Sequence, residues 1–174
     1  MNSIGAMYQN IGNIDEALQY YGNSLKIVYE IGDLFKQYMI LRNIAIINVM
    51  RKNWTESANI CIEYYQIAVQ LHANIVIDSL KGILEVSKTM LKSGELAAPI
   101  QLGIELTYFI KKVEIQDDEM RAALAISEGV FTIIGFIAAC GWDKTSDVYK
   151  EALELAKSLD ESTGSALKLV EWLD

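Results

Sequence analysis

The sequence predicts an all-α protein of about four helical hairpins followed by a short helix near its C-terminus. Three observations support this fold class. The 174-residue chain contains 1 Pro and 11 Gly, which is too few for a protein rich in β-turns. Apolar residues recur at positions i, i+3, i+4 and i+7 along most of the chain. Turn signals also return at intervals of roughly 40 to 46 residues, as in helical-repeat proteins.

Residues 1–32 are predicted to form the first hairpin. Gly12 ends its first helix, because glycine adopts a left-handed backbone at little cost. Asn13 and Asp15 follow, and their side-chain oxygens suit the first turn of the next helix. Gly32 and Asp33 repeat this pattern at the end of the hairpin. The apolar positions of the two helices are Ile4, Met7, Tyr8, Ile11, Ala17, Leu18, Tyr21, Leu25 and Val28.

The second and third hairpins are predicted over residues 33–72 and 74–114. Lys52-Asn53 turns the chain within the second hairpin, so that Trp54 begins a new helix. Ser93-Gly94 turns the chain within the third. Pro99 then suits the first turn of a helix that starts at about residues 96–98, since a missing N–H costs little there.

The fourth hairpin is predicted over residues 117–159. It combines the most apolar helix of the chain, about 119–140, with a helix that begins at Trp142. Ser162 and Thr163 are expected to cap a last helix over about 162–173, either a terminal cap or the start of a further repeat.

Six residues of the first hairpin follow a pattern of small and aromatic positions: Gly5, Tyr8, Gly12, Ala17, Tyr21 and Ser24. In this pattern the hairpin resembles the long, roughly 40-residue variety of the tetratricopeptide repeat. Weaker copies extend the resemblance over the whole chain. It implies a right-handed superhelix of stacked hairpins forming one domain, 1–174. By this resemblance we also expect the chain to be a fragment of a longer array.

Small residues at these positions let two helices approach closely, and the tyrosines fill the gap to the neighbouring hairpin. In the tetratricopeptide family, the first helix of each hairpin lines a concave groove that receives a peptide or a helix. The resemblance therefore implies ten groove residues on the third and fifth helices: Met39, Arg42, Asn43, Ile46, Met50, Lys81, Leu84, Glu85, Lys88 and Lys92.

Asn43 lies where many peptide-binding members place an asparagine, whose amide can donate to and accept from a peptide group. Asn43 and Lys81 also match two of the five residues that clamp a chaperone C-terminus in some members. The other three positions hold Asn2, Ala6 and Glu85. Because Glu85 replaces a basic residue, the pattern disfavours binding of a chaperone tail.

Lys81, Lys88 and Lys92 share one helical face with Glu85 between them. Two interpretations remain open. Lys–Glu pairs at these spacings can form a ladder of roughly 0.2–0.5 kcal/mol per pair. Alternatively, the lysines form a positive patch that selects a partner with acidic residues.

The apolar helix 119–140 also has two interpretations: a core helix packed on both faces, or a patch for a partner or a second copy. Its most apolar segment, 129–140, is short of the roughly 20 residues that span a bilayer. No signal peptide opens the chain. We therefore expect no membrane association.

The net charge of −8 disfavours nucleic-acid binding. Cys61 and Cys140 lack the spacing of zinc or disulfide sites, which fits a reducing, cytoplasmic location. His72, the single histidine, has no catalytic partner in sequence, and no catalytic motif is found. We expect no enzymatic activity, metal or cofactor.

The leading functional hypothesis is a non-enzymatic interaction module, a scaffold, adaptor or regulatory domain that binds a peptide or helix in its groove. Two alternatives remain. The chain could form a homodimer through helix 119–140 or the open ends of the array, or it could be a sensor of a peptide signal.

Overall fold

The computed structural model describes residues 2–174, and the prediction of an all-α protein is confirmed for them. They form nine α-helices and no strand, and each helix contacts the next one along the chain. The helices are α1 Asn2–Asn10, α2 Ile14–Ile31, α3 Leu34–Met50, α4 Trp54–Leu71, α5 Ala73–Lys92, α6 Ala97–Ile110, α7 Asp118–Cys140, α8 Asp147–Ser162 and α9 Leu169–Leu173.

The predicted turn glycines end helices as expected. Gly12, Gly32 and Gly94 have φ angles of 79°, 69° and 81°, a region in which other residues are strained. Asp33 then caps α3 by accepting a hydrogen bond of 3.0 Å from the backbone N–H of Lys36. The prediction that the Asn13 side chain caps α2 is wrong, because that side chain makes no capping hydrogen bond.

Contacts between non-consecutive helices give the fold its order. α3 contacts α5, and α5 contacts α7, so these helices lie side by side. α4 contacts α6 in the same way. The α5–α6 hairpin is irregular, because its two helices contact each other much less than α3 and α4 do.

The apolar core is divided into two clusters. The larger one extends from α3 to α9. The smaller one joins α2 to the outer side of α3 through Ala17, Tyr21, Val28, Ile40 and Ile47. The α1–α2 pair therefore contributes little to the main core.

A close approach of α1 and α2 depends on Gly5. The ring of Tyr21 is fully buried and lies against the Gly5 backbone, where a Cβ atom would be 2.8 Å from two ring carbons. The Tyr21 hydroxyl also donates a hydrogen bond of 2.9 Å to Oε1 of Gln9 in α1. The small residue at position 5 thus permits the close packing within the hairpin, and Tyr21 also belongs to the cluster that joins α2 to α3.

α7 is a core helix over much of its surface. Val130, Phe131, Ile133, Ile134 and Ile137 are all buried, and the helix packs against α5, α6 and α8. At 23 residues α7 is longer than its most apolar segment suggested and could span a membrane by length and composition alone. Half of its most apolar window is buried inside the protein, which is typical of a core helix.

The chain after α7 departs from the predicted helix bounds. Trp142 has φ 65° and lies in a loop, and α8 begins at Asp147. α8 extends through Ser162, so Ser162 and Thr163 do not cap the last helix. Gly164 (φ 60°) and Lys168 (φ 52°) interrupt the predicted last helix over 162–173. Only five residues after Ser162 are helical, and they form α9.

Candidate functional site

Four of the ten predicted groove residues meet at one pocket between α3 and α5. Ile46 and Met50 come from α3, and Glu85 and Lys88 come from α5. The pocket has a volume of about 410 Å³, and Trp172 of α9 lies on its third side. Val49, Val86 and Thr89 complete the lining. The result is an apolar depression with one carboxylate and one ammonium group at its rim.

Helical spacing explains why these side chains converge. Ile46 and Met50 are four residues apart on α3, and Glu85 and Lys88 are three apart on α5, so each pair shares a helix face. Met50 is 60% exposed at the end of α3. It is therefore available to a ligand without disturbing the core.

Trp172 is held firmly in place. Its indole Nε1 donates a hydrogen bond of 2.7 Å to the backbone oxygen of Leu84 in α5. Its ring packs on that of Trp142, with 5.2 Å between the ring centroids. Only 7% of Trp172 is exposed, so it forms a rigid wall of the pocket.

The segment that carries Trp172 is anchored on α8. The buried carboxylate of Asp160 accepts hydrogen bonds from the backbone N–H groups of Leu169 (2.9 Å) and Val170 (3.0 Å). The Tyr149 hydroxyl donates to the backbone oxygen of Leu173 at 3.3 Å. Leu169 and Leu173 are buried as well. This segment is part of the core, and it closes one end of the depression.

The predicted Lys–Glu ladder on α5 does not form. Among residues 2–174, no ion pair joins Glu85 to a lysine. The ammonium groups of Lys88 and Lys92 instead lie 5.8 Å and 5.5 Å from the centroid of the Trp142 ring. Lys88 also donates to the backbone oxygen of Glu171 at 3.5 Å. Both lysines therefore face the Trp142 ring in the α7–α8 loop, and Lys88 also contacts the C-terminal segment.

The two ammonium groups also repel each other. Partial desolvation lowers the pKa of Lys88, and the charge of Lys92 lowers it further, whereas Asp174 acts in the opposite direction. A lowered lysine pKa means that the charged form is disfavoured at this site. An anionic group placed near Lys88 and Lys92 would reverse this effect.

The remaining predicted residues on α5 have different surroundings. Leu84 is buried, its backbone oxygen accepts the hydrogen bond from Trp172, and it does not line the pocket between α3 and α5. Lys81 is exposed and lines a second depression of about 410 Å³ together with Leu84, Glu85 and residues 166–168. The C-terminal segment therefore covers this end of the α5 face.

Arg42 on α3 is committed to an internal ion pair. Its Nη1 lies 2.9 Å from Oδ2 of Asp78 in α5, and the Tyr38 hydroxyl donates to the same oxygen at 2.8 Å. Burial, followed by the bond to Asp78, raises the pKa of Tyr38. Arg42 thus ties α3 to α5 beside the pocket.

Asn43 and Met39 lie outside the pocket lining. Asn43 is half-buried on α3, and its amide has no hydrogen-bond partner within residues 2–174. Met39 is 37% exposed. Contact of these two side chains with a ligand stays a prediction.

Sequence reasoning missed Trp172, Trp142 and Asp160. The two tryptophans lie 30 positions apart, so no local pattern relates them to the face of α5. A buried position for Asp160 could have been suspected, because it follows Ala152 and Ala156 at intervals of four on the inner face of α8.

Other parts of the structure offer no stronger site. A cavity of about 1160 Å³ lies beside His72 and the 113–117 loop and contains none of the predicted groove residues. Within residues 2–174, no three His, Cys, Asp or Glu side chains are grouped as metal ligands would be.

Comparison with known proteins adds no assignment. No protein-family model matches the chain, and neither a curated protein nor a solved structure matches it significantly.

Proposed function

We propose that this protein is a non-enzymatic interaction module that binds a peptide in the pocket between α3 and α5. The observation that carries the proposal is the convergence of Ile46, Met50 and Lys88 on one open depression. The resemblance to tetratricopeptide repeats independently implies these three residues as groove residues. A pocket of this size admits an apolar side chain of a ligand, as small binding sites commonly do.

The ligand we propose carries an acidic group next to that apolar side chain. Lys88 and Lys92 lie close enough to repel each other, and neither is neutralised by Glu85. A carboxylate, either a side chain or a peptide C-terminus, would stabilise the charged form of Lys88. The protein itself carries a net charge of −8. An acidic ligand would therefore be repelled by most of the surface and attracted to the two lysines.

We also propose that the helices form a tetratricopeptide-like superhelix. The contacts of α3 with α5 and of α5 with α7 support this arrangement, because such contacts join the first helices of stacked hairpins. The weak α5–α6 pair is a departure from a regular array. The pocket would then lie on the concave side of this superhelix. We propose a cytoplasmic location, which would fit a scaffold or adaptor.

Selection from a random peptide phage-display library is the direct test. We expect enriched sequences with an apolar residue next to Asp, Glu or a free C-terminus, and micromolar binding of the synthetic peptides. Met50→Ser and Lys88→Glu should each weaken binding at least tenfold by fluorescence anisotropy, since they remove an apolar wall and reverse a charge. Asn43→Ala should weaken binding with little change in melting temperature.

Met7→Ser is the matched control for Met50→Ser. Met7 is 67% exposed on α1, far in sequence from the pocket, so its replacement should leave binding unchanged. The proposal fails if no peptide is enriched, or if enriched peptides bind Met50→Ser and Lys88→Glu as tightly as they bind Met7→Ser. Equal loss of stability and binding in Asn43→Ala would assign Asn43 a structural role.

Peptide binding is favoured over dimer formation through helix 119–140. The large apolar side chains of α7 are mostly buried, and its exposed positions include the small or polar residues Ala122, Ala125, Thr132 and Ala139. A sensor of a peptide signal would use the same pocket as a scaffold.

A further inference from the structure

The outer face of α6 carries a stripe of exposed apolar side chains. Leu96 lies just before the helix, and Ile100, Ile104 and Tyr108 follow at intervals of four, so all four share one line about 18 Å long. They are 43%, 39%, 64% and 61% exposed. Four large apolar side chains in a row form a continuous patch, and such patches mark interaction sites.

A groove runs beside this stripe, between α6 and α7. Its volume is about 380 Å³, and Ile100, Ile104 and Tyr108 form one side. Gly103 and Gly135 line the groove, and the space at Gly135 is open, since a Cβ atom there would meet nothing within 4 Å. The stripe and the groove together match the shape of a second helix laid along α6.

Charges of opposite sign mark the two ends of the stripe. Glu95 lies at its N-terminal end and accepts a hydrogen bond of 3.0 Å from the backbone N–H of Ala98. Lys111 and Lys112 lie at its C-terminal end, and the ammonium group of Lys112 is 3.9 Å from the centroid of the Tyr108 ring. A helix of opposite charge order would therefore pair favourably with α6.

We propose that the stripe binds a second copy of this chain, with the two α6 helices antiparallel. Reversal of the sequence order sets Ile100 against Ile104 of the other copy, and Leu96 against Tyr108. The same reversal brings Glu95 towards Lys111 and Lys112 of the other copy. Opposed helix dipoles add to the attraction. α6 thus supplies both halves of a two-fold interface, as isologous dimers require.

The size of the patch sets the strength of this dimer. The four stripe side chains of both copies would bury roughly 800 Å² in total, given the area of large apolar residues. That is below the area of most stable interfaces, even when residues along the groove are added. We therefore expect a weak dimer that forms in a concentration-dependent way.

Sedimentation velocity across concentrations from about 1 to several hundred micromolar tests the proposal. We expect a monomer–dimer equilibrium. Ile104→Glu should weaken it at least tenfold, and Lys111→Glu combined with Lys112→Glu should weaken it several-fold. Met7→Glu, at an equally exposed position on α1, should leave it unchanged. A protein that stays monomeric throughout, or a dimer that Ile104→Glu does not weaken more than Met7→Glu, would overturn the proposal.

Cross-linking tests the antiparallel orientation. Two proteins, Ile100→Cys and Ile104→Cys, are prepared in a Cys140→Ser background, because Cys61 is buried and Cys140 is partly accessible. With a short bis-maleimide linker, a mixture of the two should form mixed dimers faster than either protein forms dimers alone. Faster cross-linking within each protein alone would contradict the antiparallel arrangement.

Discussion

Replacement of Gly5 by alanine should destabilise the protein, although alanine favours helices. The new Cβ atom would lie 2.8 Å from Cδ1 and Cε1 of Tyr21 and 3.2 Å from Cγ. Tyr21 is fully buried and hydrogen-bonded to Gln9, so the ring cannot move aside easily. Overpacking of this kind costs about 1–3 kcal/mol, and the gain in helix propensity offsets up to about 1 kcal/mol of it. We expect a net loss of about 1–2 kcal/mol.

Gly22→Ala is the matched control. Gly22 lies within α2, and a Cβ atom there would meet nothing within 4 Å. The same substitution should therefore stabilise the protein by about 0.5–1 kcal/mol. Urea unfolding measures both effects, and hydrogen exchange of the α1 and α2 amides shows whether the loss is local.

A double substitution identifies the cause. In a Tyr21→Leu background the ring is gone, so Gly5→Ala should lose most of its cost, and the coupling should exceed about 0.5 kcal/mol. If Gly5→Ala is as stable as the wild type, or equally costly in the Tyr21→Leu background, close contact between Gly5 and Tyr21 is not what holds α1 on α2.

Three further predictions concern buried polar groups. Asp160→Ala should cost about 2–4 kcal/mol, because the N–H groups of Leu169 and Val170 lose their acceptor; urea unfolding measures the loss, and Asp160→Asn should restore only part of it. Burial raises the pKa of Cys61 from 9.0 to about 12, so the thiol ionises at lower pH in the unfolded chain than in the folded protein. The contribution of Cys61 to the free energy of unfolding is therefore fully present below pH 9 and falls by about 1.4 kcal/mol per pH unit between pH 9 and 12. Unfolding midpoints at pH 8 and 10 should show a smaller decline in Cys61→Ala, and an equal decline would contradict this cause. Ser87→Ala should raise stability by about 0.5–1 kcal/mol, since the buried hydroxyl has no hydrogen-bond partner, and a lower melting temperature would indicate a bond not identified in the structure.

Most helices could be predicted because their limits depend on local chemistry. Gly12, Gly32 and Gly94 each adopt a positive φ angle where the chain turns, and Pro99 lies in the first turn of α6. These residue types restrict the backbone whatever lies elsewhere in the protein. Such local signals predict where helices begin and end and in which order they follow, and the all-α fold class could be predicted from them.

The C-terminal region could not be predicted for the opposite reason. Trp142 precedes an amphipathic segment as Trp54 does, but its position is determined by contact with Trp172. Likewise, helical spacing brought Ile46, Met50, Glu85 and Lys88 to one side of α3 and α5. It could not indicate that residues 166–172 would cover the face around Lys81. Tertiary contacts of this kind leave no periodic trace in the sequence.

The hydrogen bond from Trp172 to Leu84 has a consequence for unfolding. Helices that touch only their neighbours can separate one pair at a time, as in linear arrays. This bond joins positions 88 residues apart in the chain, and α6, α7 and α8 lie between them. The part of the protein from α5 to α9 should therefore open as one cooperative unit, while α1 and α2, with their own small cluster, should exchange their amide protons first.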